Sequence, residues 1–309
     1  MPDPVLSPGF GHDGQQFYVM ARTFPDFQDA DGHVDRLRYR ARRVLMPALV
    51  APFPAGEATV WAIFGVNLAA IGAAGVAISR LAEKIGAPWW VGLSVAVAPA
   101  LVVSARASLA DALAFALAIW GAVLWRRHLW WAVALFTLAA LARETSLVVP
   151  AACLLIGPRA RERLAMMVPF VVYGGWTIAV SLWLDPSDAG SSSPFGDATR
   201  QLALPFEAFG QLGPSSATYL GVALLVASVA AAWRLREALP EITLWLVADA
   251  LLLITAATGV VEDTWNVPRL APLAVPGMVL AITMPRRSAT PLTRQAQQRT
   301  GSAPADLVG

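Results

Sequence analysis

The chain has 309 residues, 57% of them hydrophobic and only 14% charged, with a mean hydropathy of +0.57, where soluble domains carry roughly 25% charged residues. Those values exclude an ordinary soluble enzyme and predict an all-α fold, a polytopic helical membrane protein. The 23 Lys and Arg against 21 Asp and Glu leave a net charge of +2; the arginines fall in short clusters between apolar runs, so they read as orientation signals and not as a nucleic-acid surface.

Residues 11–18, Gly-His-Asp-Gly-Gln-Gln-Phe-Tyr, form a polar, acidic stretch that reads as a Gly-flanked turn. The first twenty residues contain Asp3 and Asp13 and no continuous apolar core, so a cleavable signal peptide is not expected there. Residues 35–43 are densely charged and run into the apolar segment 44–50. A basic and then apolar segment suits a helix lying in the membrane interface, with Arg38, Arg40, Arg42 and Arg43 snorkelling to headgroup phosphates. Residues 1–56 are therefore expected to be an external N-terminal region.

A bilayer span needs about 20 mostly apolar residues. Runs of that kind cover 58–79, 88–104, 109–125, 164–184, 217–233, 242–261 and 267–284. The stretch 129–156 is long enough for one span but carries Arg143 and Glu144 at its middle, where a charge costs at least about 2.5 kcal/mol on insertion scales. Loop charge decides its reading. Arg80 and Lys84, Arg126 and Arg127, Arg159, Arg161 and Arg163, Arg234 and Arg236, and Arg286 and Arg287 all fall on the cytoplasmic side only if 129–156 is a short helical hairpin with an external tip at Arg143-Glu144. About nine membrane segments result, within a transmembrane domain at 57–284. The external loop 185–216 opens Ser/Gly/Pro-rich, and Leu202, Leu204, Phe206 and Phe209 suit a short interfacial helix. The polar tail 285–309 is expected to be disordered and cytoplasmic. The single cysteine, Cys153, excludes an intrachain disulfide.

The His-Asp-Gly-Gln stretch followed by Phe17-Tyr18, the Arg-rich segment 38–47, the tip 141–145 and the late loop 266–270 together resemble the GT-C superfamily. These are multi-spanning glycosyltransferases that use polyprenyl-phosphate-linked sugars. The resemblance implies that Asp13 is the catalytic carboxylate, in an external loop that follows a first membrane helix. Only a dozen mostly non-apolar residues precede Asp13, so that helix is expected to be lost or to lie upstream of this chain.

In the inverting reaction so implied, an acceptor hydroxyl (of a glycan, lipid or protein) attacks the anomeric carbon as the polyprenyl phosphate leaves from the opposite side. Asp13 would accept the hydroxyl proton. Arg143, Arg269 and Arg106 would stabilise the leaving phosphate, since a guanidinium matches phosphate oxygens bidentately. His12, Gln15, Tyr18 and Glu144 are expected to contact substrate.

Each of these residues has a structural alternative. Asp13 could cap its own backbone in an Asx-turn, Arg143 could pair locally with Glu144, and Arg269 could snorkel from a helix start. Ser108 and Asp111 match the Ser-x-x-Asp helix-start pattern and are read as caps. The tryptophan pairs 89–90 and 130–131 are read as an aromatic belt. His12, His33 and His128 lack metal-ligand spacing, so no metal site is expected, although Asp13, Glu262 and Asp263 could offer oxygen ligands to a divalent ion. Two further functions stay open: a transporter or flippase, in which the charged break at Arg143-Glu144 marks a substrate path, and a non-catalytic membrane subunit.

Overall fold

The structure is a computed structural model that describes residues 13–184, 216–255, 269 and 271–285. His12, most of the 185–216 loop, Glu262, Asp263 and the tail from 286 lie outside the described residues, as do the side chains of Asp13 and of 216–219, 254 and 255. The described residues are helical, with no strand among them. Each expected apolar run contains helix, but among the described residues only two helices, Glu57–Lys84 and Ala160–Trp183, are long and apolar enough to cross a membrane. A bent pair, Trp89–Val97 and Pro99–Arg106, would make a third.

Residues 11–18 are not a turn. From Asp13 the chain forms an eleven-residue helix, α1 (Asp13–Thr23), whose buried Phe17, Met20 and Ala21 recur at helical spacing and outweigh the two flanking glycines. Gly14 lets α1 come close to the rest of the molecule: a Cβ there would sit 2.3 Å from the Ala107 carbonyl oxygen. The single interfacial helix is also corrected. Two short helices, α2 (Leu37–Ala41) and α3 (Leu45–Val50), stand in its place. Arg38, Arg40 and Arg43 turn to protein partners rather than to headgroups. Arg40 binds Asp35 at 2.9 Å, Arg38 Nε donates to the Leu184 carbonyl at 3.0 Å, and Arg43 is 5% exposed against Glu144. A guanidinium with a carboxylate in reach gains more from that charge-assisted pair than from a hydrated headgroup.

Helix α4 (Glu57–Lys84) buries Ala70, Ala74 and Ala77 and places Gly75 against Gly92, a small-residue seam that lets backbones approach. It ends at Gly86, whose φ of +75° suits a glycine. The run expected at 88–104 divides into a 3-10 segment (Trp89–Val97) and α5 (Pro99–Arg106), bent by 52°. Pro99 is the cause: it has no N–H for a continuing helix and holds Ala98 extended, at ψ 120°.

Helices α6 (Asp111–Leu124) and α7 (Leu129–Ala142) lead to a 3-10 turn (Glu144–Leu147) and α8 (Val148–Ile156). The apolar run 129–156 is broken here, with Arg143 extended at φ −158° and ψ 126° between α7 and the 3-10 turn. Helix α9 (Ala160–Trp183) follows, and its far end carries the N-terminal region: Met20, Phe27, Leu37 and Ala41 pack with Val180 and Leu184, and Trp176 donates to the Ala41 carbonyl at 3.0 Å. Helices α10 (Ser216–Leu235), α11 (Pro240–Thr255) and α12 (Ala274–Thr283) complete the described bundle.

Two ends of the molecule are thereby distinguished. One gathers Lys84, Arg234, Arg236 and Pro285 around a single open pocket, with Lys84 3.6 Å from Glu241 at the start of α11. The other gathers the N-terminal region, the 107–108 turn and the Arg143-Glu144 turn. Helix α6 separates them by about 20 Å along its axis.

Candidate functional site

The chemistry-bearing residues converge on Asp111, the first residue of α6. It does not cap the helix. The N–H of Ala112 is taken instead by Ser104 Oγ at 2.9 Å, and Ser104 also lies 3.2 Å from Asn67 Oδ1, so a buried polar link joins α4, α5 and α6. This frees the Asp111 carboxylate, 6% exposed, to hold two arginines. Its Oδ1 pairs with Arg143, and its Oδ2 takes a hydrogen bond from Arg269 Nε at 2.8 Å. Burying charge is costly unless it is paired in this way. Counted alone, two guanidiniums on one carboxylate leave one positive charge in excess.

Beside them is a cavity of about 30 Å³ lined by Arg143, Arg269, Asp111, Thr145, Ser146 and Asp249 among others, room for water-sized groups. Arg143 Nε has no hydrogen-bond partner among the described residues. Asp249, from within α11, is 2% exposed; it accepts from the Leu273 N–H at 3.2 Å and from the Trp245 side chain.

A second pair abuts the first. Arg43 Nε donates to Glu144 Oε2 at 3.0 Å, Tyr39 donates to Glu144 Oε1 at 3.3 Å, and the Arg43 guanidinium lies 4.4 Å from the Tyr39 ring centre. Burial pushes the Tyr39 phenol above its ordinary value, Glu144 adding to this while Arg43, Arg143 and Arg40 oppose it. Burial also pushes the Glu144 carboxyl up, but the charge and hydrogen bond of Arg43, with Arg143, more than offset it and hold it at about 2.

The residues singled out from sequence are therefore only partly assembled. Arg143, Arg269 and Glu144 share one cluster. The local Arg143–Glu144 ion pair gives way to two separate pairs, because Asp111 and Arg43 reach these groups from other segments. Arg106 is exposed at the end of α5, next to Ala107 on which Gly14 rests. Tyr18 has a structural role, since its hydroxyl accepts the Gly56 N–H at 3.0 Å, at the start of α4. Gln15 is half-buried on α1.

Asp111, Asp249, Tyr39 and Arg43 complete the cluster; their local sequence presents them only as a cap, part of a span, motif context and a headgroup contact. Asp249 carried a usable signal, since an acidic residue inside an apolar run marks function by default. No group of three His, Cys, Asp or Glu suited to a metal ion occurs among the described residues. Comparison with family models, curated proteins and solved structures finds no match to this chain.

Proposed function

We propose that the chain is a membrane-embedded glycosyltransferase of the GT-C kind, transferring a sugar with inversion from a polyprenyl-phosphate donor at the external face. The observation that carries this reading is the buried Arg143–Asp111–Arg269 cluster, with an unpartnered Arg143 Nε beside a small cavity. Two guanidiniums held in place before substrate arrives stabilise a phosphate that gains charge as its bond to the sugar breaks, without reorganisation during the reaction. Asp111 orients both. The cavity admits phosphate oxygens and not a sugar ring, so the sugar would lie outside it, on the side of α1.

Asp13 serves as base in this reading. It is the first residue of α1, and the next residue, Gly14, rests on the 107–108 turn three positions before Asp111. The nine-segment topology, with the cluster external and the basic end cytoplasmic, belongs to the same proposal. Transfer of labelled sugar in membranes should be lost in Asp13→Asn and fall at least tenfold in Arg143→Lys, with both proteins still inserted and folded. Full activity of Asp13→Asn overturns the mechanism.

One observation favours transport instead: Asp249 and Asp111, both buried and on different helices, line the same cavity as two arginines, a constellation also suited to a charged substrate path. Flux of the lipid-linked sugar into liposomes with no covalent product would decide for it.

A further inference from the structure

At the end opposite the cluster, the closing turns of α4, α10 and α12 surround an open pocket of about 760 Å³. Lys84, Arg234 and Arg236 line it, with Glu237 as the one carboxylate among the described lining residues. The cations are held in place. Arg234 donates to the Ala281 and Met284 carbonyls at 3.4 Å, bridging α10 to the end of α12. Arg236 stacks on Trp233 at 4.0 Å from the ring centre and donates to its carbonyl. Held guanidiniums lose less entropy when they bind an anion than free ones do.

The wall leading to the pocket is apolar. Val222, Val226, Val229 and Trp233 are all exposed on α10, and their spacing of four, three and four residues makes one stripe along the helix. The stripe ends at Trp233, 70% exposed at the pocket mouth. Trp89, whose carbonyl accepts from Ser79 Oγ near the end of α4, is also exposed, as aromatic residues at a membrane surface are.

We propose that this pocket binds the phosphate headgroup of an anionic phospholipid, with Arg234, Arg236 and Lys84 as its counter-charges and an acyl chain lying along the α10 stripe. A free phosphate would satisfy the same cations, but the continuous apolar track from the pocket mouth selects the lipid. The site does not depend on glycosyl transfer, being at the other end of the bundle.

The test uses the full chain, delipidated in nonionic detergent and titrated with phosphatidylglycerol or phosphatidylcholine, with occupancy read by native mass spectrometry. Phosphatidylglycerol should be retained at least tenfold more tightly than phosphatidylcholine. Arg236→Gln and Lys84→Gln should each weaken retention about fivefold, as should Arg234→Gln. Since Arg234 bridges two helices and Lys84 pairs with the buried Glu241, the Arg236 variant decides the matter if the other two fail to fold. Equal retention of the two lipids overturns the proposal, and so does unchanged retention in the Arg236 variant. Displacement of the lipid by millimolar inorganic phosphate alone would make the ligand a soluble phosphate and overturn the assignment to lipid.

Discussion

Asp111 shows how one side chain's role depends on what a distant segment brings to it. From the chain alone it caps α6; in the fold Ser104 takes that place and Asp111 neutralises Arg143 and Arg269. Removing its charge takes from Arg143 and Arg269 the carboxylate that both contact, and breaking a buried pair costs about 3–5 kcal/mol. Asp111→Asn should therefore lower the thermal midpoint of the purified protein markedly, while Arg127→Gln, at an exposed position, should leave it nearly unchanged. A thermal-shift assay that ranks the two the other way would refute the buried-pair account.

Glu144 predicts a pH response. Its carboxyl is held at about 2 against an ordinary 4.5, so the folded state binds fewer protons than the unfolded one between those values. The stability it contributes is complete above about pH 4.5 and is lost as pH falls towards 2. Proteolysis within residues 24–36 should accelerate over that interval, and Glu144→Gln should remove the dependence.

Between elements, close approach is set by glycines. A Cβ on Gly92 would lie 2.2 Å from the Gly75 carbonyl oxygen, and backbone cannot yield as a side-chain tip can. Gly92→Ala should force α4 and the 3-10 segment apart and destabilise by about 1–3 kcal/mol, seen as a lowered midpoint. Gly14→Ala meets the Ala107 carbonyl in the same way. Its effect should be local: looser docking of α1 and faster cleavage at Arg22, with the bundle's midpoint little changed. Uniform destabilisation of the whole bundle would show that α1 is not a separable element.

Across the bundle as a whole, Lys84, Arg234 and Arg236 lie at one end and the arginine–carboxylate cluster at the other. If the bundle crosses the membrane as proposed, single cysteines in place of Arg106 and Arg236 should be labelled from opposite sides by an impermeant maleimide, Arg236→Cys only after permeabilisation. The native Cys153 is buried and should give little background. Labelling of both positions from one side would refute the topology.

Much of the fold was legible in the chain because apolar runs and their breaks are local properties. The all-helical class, the helices within each apolar run and the break at Arg143 follow from hydropathy and from the cost of two adjacent charges in mid-span. Which carboxylate met which arginine was not legible. Arg43 lies 101 residues from Glu144 and Arg269 lies 158 from Asp111, and no local pattern encodes such a pairing. Likewise the helix at 13–23 overrode its glycine signals because Phe17, Met20 and Ala21 found a surface to bury against. Where helices form, and where charge interrupts them, is thus written along the chain. The choice of partner for each buried charge belongs to the packing, since its desolvation is offset by whichever opposite charge the fold brings within reach.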